Sequence, residues 1–283
     1  MPDRVATLRS VPTALQALRH TRRMAVRWDE RRSGCPVCGG RVAAAPPRPI
    51  LPEALVREWE LGPHLQRLYD EREGTACAAC GATGRSRALA LAFLVATRQP
   101  EGVGFAAAAR DWKGGAIAEI NQAKELHAWL EHVPDLRYSE YGSTQAGTPS
   151  EDLEQLSYAD ASIRYLFCSD TLEHVPSFER ALAELWRVLE PGGAALITVP
   201  LLWHRPTRVR ARRSHGEVRH LLPPSYHGSQ ALARPSDGHF VYRELGYDVL
   251  DVFRERFATR VVFLDLWSNP FQCAFVLERR SSA

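Results

Sequence analysis

The stretch CSDTLEHVPSFERALAELWRVLEPGGAALITVP, residues 168–200, decides how this chain is read. Its middle, SFERALAELWRVLE (177–190), places apolar residues at helical spacing with charges between them, which predicts an amphipathic helix. Pro191-Gly192-Gly193 stops that helix, because proline cannot extend the hydrogen-bond ladder and glycine accepts the left-handed turn that follows. AALITVP (194–200) then reads as a buried strand, and IRYLFCS (163–169), just upstream, as another. Strand, helix and strand in this order are the repeating unit of an α/β sheet.

The same alternation extends in both directions. AIAEI (116–120) predicts a first strand running into a helix that ends at Leu130, and LRYSE (136–140) a second strand. YRELGYDVLDVFRERF (242–257) predicts a late helix. TRVVFLDLW and FQCAFVLER, on either side of Ser268-Asn269-Pro270, predict a closing hairpin. Three regions follow: a basic helical extension over 1–34 with Leu15, Leu18, Met24 and Val26 as packing positions, a four-cysteine module with helices over 35–98, and an α/β domain over 99–283. Within the last region, residues 201–241 form a long polar loop, and such loops in compact domains are usually lids or binding loops.

Composition sets the class. The 283 residues suffice for a sizeable core, and 45% hydrophobic with 24% charged residues is ordinary for a globular protein. A formal charge of +3 does not by itself argue for nucleic acid. Two arginine-rich runs stand out, Arg19 to Arg32 and Arg205 to Arg213; they read as solvated faces or as contacts to a phosphate or an acidic substrate. No apolar run reaches the ~18–20 residues of a membrane span, and the N-terminus lacks a signal peptide's apolar core, so a cytoplasmic location is expected.

In a reducing compartment six cysteines point to metal or free thiols. CPVCGG (Cys35, Cys38) and CAACG (Cys77, Cys80) are two copies of one knuckle, in which two thiolates close on one ion and a glycine lets backbone N–H groups turn toward sulfur. A redox pair or four separate buried thiols are the alternatives; the repeated knuckle favours a closed, structural Zn2+ site. Cys168 and Cys273 fall in predicted strands as core thiols.

Asp170, Leu172, Glu173, His174, Val175, Leu189, Pro191, Gly192 and Gly193 together resemble the second half of class I S-adenosylmethionine-dependent methyltransferases of the type 11 kind. The paired knuckles, GRSRALALAFL and RHLLPPSYHGS extend the likeness to a bacterial subfamily with zinc knuckles before the sheet, over roughly residues 35–280. The resemblance implies a Rossmann-like seven-stranded α/β sheet with a zinc-ribbon-like N-terminal module, S-adenosylmethionine as cofactor and S-adenosylhomocysteine as product. It also implies a cofactor site built from Glu119, Ile120, Asn121, Glu140, Asp152, Leu153, Ser169 and Asp170. Glu140, ending the second strand, is placed to accept ribose hydroxyls, and Asp152 to meet the adenine amine. Two features depart from the family. Ile163-Arg164 stands where Phe-Asp is usual, and the first turn, Ile120-Asn121-Gln122-Ala123, has no glycine. Asn121 tolerates left-handed backbone, so it is the residue expected to replace one.

For chemistry, His174 at the end of a strand orients a substrate or removes a proton, or else packs locally, with Glu173 shaping the pocket. Tyr226 and His227 in the long loop, followed by His204, complete the catalytic candidates. The expected acceptor is a small molecule, such as a natural-product intermediate, or a glycan, with arginines able to meet an anionic group. Nucleic acid is disfavoured because basic residues are not interleaved with aromatics; the alternatives kept are an RNA methyltransferase and a non-catalytic scaffold. No membrane partner is expected. The oligomeric state, a homodimer included, is open.

Overall fold

A computed structural model describes residues 34–40, 49–226, 239–266 and 268–281, and residues 25–27 and 227 through their backbone. The other positions, including most of the predicted N-terminal helix, lie outside the described residues. In chain order the elements are β1 (Ala25–Arg27), α1 (Glu53–Glu58), α2 (Pro63–Gly74), α3 (Gly84–Ala96), α4 (Phe105–Arg110), β2 (Ile117–Ile120), α5 (His127–Leu130), β3 (Leu136–Ser139) and β4 (Ile163–Ser169). Then come α6 (Phe178–Val188), β5 (Leu189–Thr198), six short strands from β6 (Arg208–Val209) to β11 (Arg243–Glu244), α7 (Val249–Arg256), β12 (Ala258–Asp265) and β13 (Asn269–Glu278).

Seven strands form one sheet in the order β1-β12-β13-β5-β4-β2-β3. β13 pairs antiparallel with both neighbours, and every other pairing is parallel. The chain steps from β2 outward to β3 and then crosses back to β4 on the other side of β2. That reversal places a topological switch point at the carboxyl ends of β2 and β4, where open α/β sheets bind ligands.

Helices cover both faces. On one, Ala118, Ile120, Leu166, Cys168, Ile197, Phe263 and Phe275 pack against Phe178, Leu182 and Leu185 of α6 and Phe253 of α7. On the other, Ile117, Tyr165, Phe167, Leu196, Val262 and Val276 pack against α3, α4 and α5. α3 is buried at every position from Gly84 to Leu94, since the sheet lies beneath it and the cysteine knuckles beside it. A helix apolar around most of its circumference belongs in such a place. Cys35, Val37 and Cys77 share this core, so the cysteine region and the sheet are packed as one body.

The Rossmann-like α/β reading therefore stands, with corrections at its edges. The predicted 177–190 helix spans 178–188, capped by Ser177, whose hydroxyl accepts from the Arg180 amide. β5 begins at Leu189 and runs through Pro191-Gly192-Gly193, where Gly193 faces the carbonyls of Arg164 and Ile163 too closely for a side chain. The late helix covers only 249–256, because Arg243–Glu244 is drawn into a strand pair with β6. After β2 a 3-10 turn, Lys124–Leu126, precedes the single turn of α5, in place of one longer helix. Val26, read as a helical packing position, instead lies in β1, paired in parallel with β12. The closing hairpin, β12 and β13, is found as expected. Among the described residues no helix is long and apolar enough to cross a membrane.

Candidate active site

Asn121 lies at the centre of the switch point. It takes the left-handed backbone its turn requires, at φ 58°. Its side-chain oxygen accepts from the Tyr141 amide at 2.8 Å and its amide nitrogen donates to Thr171 Oγ1 at 3.4 Å, while its own N–H donates to the Ser139 carbonyl. One residue thus ties together the carboxyl ends of β2, β3 and β4. Glu119, just before it, is fully buried: it accepts from the Ala123 amide at 2.8 Å and from His127 Nδ1 at 2.7 Å. Burial pushes its carboxyl up from the usual range. Glu119 therefore braces the turn from inside. Glu140, half-buried after β3, accepts a hydrogen bond from Tyr138.

A cavity of about 780 Å³ opens beside Asp170 and extends between α1, α2 and the 201–241 segment. One end is ionic. Arg72 Nη1 and Nη2 donate to the two oxygens of Asp170 at 3.1 and 2.8 Å, and Arg85 Nη1 donates to the same carboxylate at 2.5 Å. Glu73 sits among Arg72, Arg85 Nη2 (3.7 Å) and Lys124 Nζ (3.6 Å). Although burial alone would raise the Asp170 carboxyl, the two guanidinium groups hold it well below the usual carboxylate range. Like Asn121, Asp170 has left-handed backbone, at φ 45°.

The other end is neutral. Glu173 is 1% exposed, and burial, reinforced by the nearby Asp170 charge, pushes its carboxyl well above the usual range. Its Oε2 is buried with no hydrogen-bond partner among the described residues. His174 lies next to it with Nε2 3.5 Å from Glu173 Oε1; the imidazole is neutral near pH 7, so this contact is not an ion pair. Burial lowers the His174 imidazole to about 4. Since the Phe240 carbonyl at 2.9 Å can only accept, Nδ1 carries the proton and Nε2 the lone pair. Tyr226 and His239 also line this end.

The 201–241 segment has more structure than its polarity suggests. β6 pairs with β11 (Arg243–Glu244), β9 (Tyr226–His227) with β10 (His239–Phe240), and β7 (Ala211–Ser214) with β8 (Glu217–His220). Its arginines are largely committed to internal contacts. Arg205 and Arg210 close on the fully buried Glu244, Arg208 on Glu60 at 2.6 Å, and Arg213 on Glu154 at 2.5 Å. Ser225 donates to Glu58 at 2.6 Å, which ties the loop to α1 as a wall of the cavity.

On the α3 face the four knuckle cysteines converge. Cys35 Sγ is 3.8 Å from Cys80 Sγ, Cys38 Sγ is 3.8 Å from Cys77 Sγ, and all four sulfurs lie within 4.8 Å of one another. A tetrahedron with metal–sulfur bonds of about 2.3 Å has edges of about 3.8 Å, so the donor set fits one tetrahedral ion. Gly39 and Gly81 take left-handed φ of 72° and 75° in the two knuckles, and the Gly40 amide points at Cys38 Sγ.

Of the expected site residues, the structure brings Asp170, His174 and Tyr226 to one cavity and the four cysteines to one cluster. Ile120, Asn121, Ser169 and Glu140 cluster at the strand ends instead. Asp152 accepts from the Glu154 amide in its own turn, and Leu153 is buried behind it. His204 turns toward α1, its Nε2 donating to the Trp59 carbonyl, and does not line the cavity. The side chain of His227 lies outside the described residues. Arg72, Glu73 and Lys124 carry no signal in the sequence, and Arg85 enters there only within GRSRALALAFL, with no role in the site.

With this geometry in place, the chain can be set beside known proteins. Residues 102–197 match a methyltransferase domain. They span α4 to most of β5 and include the strands that form the switch point. A search of curated proteins found no match. Among solved structures, an S-adenosylmethionine-dependent methyltransferase from Mesorhizobium loti is similar at 14% identity over 59% of this chain and 91% of that one, with a TM-score of 0.35. A methyltransferase from Methanosarcina mazei is similar at 14% identity over 60% and 95%, with a TM-score of 0.34. The DszA carbon methyltransferase is similar at 13% identity over 70% and 54%, with a TM-score of 0.38. At these identities none of them specifies a reaction or an acceptor for this chain.

Proposed function

We propose that this protein is an S-adenosylmethionine-dependent methyltransferase that acts on a small-molecule or glycan acceptor and carries a structural zinc ion at Cys35, Cys38, Cys77 and Cys80. The reading is carried by one juxtaposition. At the carboxyl ends of the switch-point strands, within the methyltransferase match, one cavity joins an ionic wall to the buried His174–Glu173 pair. When bound, the cofactor supplies an electrophilic methyl group for in-line displacement. This chain's residues must then orient the acceptor, exclude water and take up a proton where the acceptor is a hydroxyl.

The residues fit that task. Asn121 provides the left-handed turn that a glycine would otherwise allow, and Glu140 offers a carboxylate one strand away for ribose hydroxyls. His174 Nε2 holds a lone pair at pH 7, because burial keeps the ring neutral and the Phe240 carbonyl fixes the proton on Nδ1. Glu173, whose burial favours the protonated carboxyl, leaves a buried oxygen to bond an acceptor group. Tyr226 and His239 close the same end from the insertion. The arginine run does not favour nucleic acid, since Glu58, Glu60, Glu154 and Glu244 engage most of it.

Calorimetric titration with S-adenosylhomocysteine tests the cofactor reading, and absence of any binding heat would overturn it. For the acceptor reading, product analysis with radiolabelled methyl donor and a metabolite extract should label small molecules or glycans; label confined to RNA would contradict it.

A further inference from the structure

The ionic end of the cavity holds charges that alternate in space. Lys124 neighbours Glu73, Glu73 neighbours Arg85, Arg85 neighbours Asp170, and Asp170 neighbours Arg72. Three cations face two carboxylates, so the row carries one excess positive charge. Arg72 is saturated: it spends its donors on Asp170, Glu73 and the Val199 carbonyl, and is 2% exposed. Lys124 and Arg85 are not. Among the described residues, Lys124 Nζ approaches only Glu73, at 3.6 Å, with a side chain 45% exposed, and Arg85 Nη2 has only the long 3.7 Å contact. Lys124 also occupies left-handed backbone at φ 50°, which L side chains avoid unless their surroundings impose it.

Spare cationic donors beside a partly satisfied carboxylate complement a zwitterion better than a simple anion. A free α-amino acid group has that form: its carboxylate meets Lys124 and Arg85, and its ammonium meets Glu73. We infer that Lys124, Arg85 and Glu73 bind the zwitterionic amino-acid end of the cofactor, in place of Glu119 at the end of β2, which the resemblance put in the cofactor site. Glu119 cannot reach a ligand, being fully buried and committed to Ala123 and His127. Two of the three residues, Glu73 and Arg85, come from α2 and α3, before the segment that matches the methyltransferase domain. They flank the second knuckle, and Arg85 follows Cys80 by five positions, so the cysteine-bearing region supplies part of the ligand site.

The inference rests on the proposed cofactor, and its test separates the two. S-Adenosylhomocysteine carries the amino-acid group, whereas 5′-methylthioadenosine keeps the nucleoside and thioether without it. Calorimetry with both ligands is run on the full chain and on Lys124→Ala, Glu73→Gln and Arg85→Gln. Binding of S-adenosylhomocysteine to the wild-type chain establishes the cofactor independently. Lys124→Ala, on a half-exposed side chain whose one ion pair among the described residues is the long contact to Glu73, should then weaken S-adenosylhomocysteine by about 10-fold or more while 5′-methylthioadenosine stays within about two-fold. Equal weakening of both ligands by Lys124→Ala, or of neither, overturns the assignment. Circular dichroism shows whether Arg85→Gln and Glu73→Gln remain folded, and Lys124→Ala decides the matter if they do not.

Discussion

Asn121 and Glu173 show what single residues contribute here. Asn121 replaces the expected glycine by combining left-handed backbone with two side-chain bonds, to Tyr141 and Thr171. Asn121→Ala should lose both bonds and strain the backbone, at a cost of about 2–3 kcal/mol in urea unfolding. Asn121→Gly relieves the strain and should cost about half as much; the reverse order would show that left-handed backbone strain does not limit this turn. Glu173 is protonated in the folded chain at a pH where an unfolded glutamate, with its ordinary value of 4.5, is already ionised. The ionisation-linked cost of its burial therefore grows as pH rises above 4.5 and vanishes below it. Glu173→Gln should raise Tm at pH 7–8, with the gain shrinking to nothing as pH falls below about 4.5. A gain independent of pH would mean the carboxyl is ionised in place. The sequence motif around Asp170 located these residues; it could not show that Asp170 would be clamped by Arg72 and Arg85, because both partners lie about 85–100 positions upstream.

Among the elements, β2, β4, α6, β5 and the final hairpin were legible because each repeats apolar residues at its own period and ends on recognisable turn chemistry. The 201–241 segment was not. Its strands are two to four residues long, too short to show a period, and are held by ion pairs whose partners are distant in sequence. Arg205 and Arg210 were read as surface or substrate contacts, whereas both are buried against Glu244. Breaking such a group strands two buried charges, so Glu244→Ala should destabilise the chain by about 3 kcal/mol or more. Equilibrium unfolding checks this, and a change within about 0.5 kcal/mol would mean that the arginines reach solvent. The knuckles, by contrast, were legible down to the glycine. Cys77→Ser, or treatment with a strong chelator, should lower Tm because α3 packs directly on the cysteine cluster. Metal analysis should return about one zinc per chain; a value near zero in protein purified without chelators would argue for free thiols.

Across the whole molecule, the cysteine-bearing region and the sheet share a hydrophobic core and jointly wall the cavity. α2 and α3 send Arg72, Glu73 and Arg85 onto the carboxyl ends of the sheet, and Ser86 donates to Glu125 in the turn after β2. A turn without glycine is thus held from outside by the helix that follows the second knuckle, and from inside by Glu119 and Asn121. This arrangement gives the proposed cofactor site its turn without a glycine-rich loop. Calorimetric titration of the zinc-loaded wild-type chain with S-adenosylhomocysteine tests it most directly. The account predicts saturable binding of one ligand per chain with a Kd on the order of micromolar, accompanied by a rise in Tm that grows with ligand concentration. No heat and no thermal shift at millimolar ligand would mean that the chain keeps the fold without the cofactor.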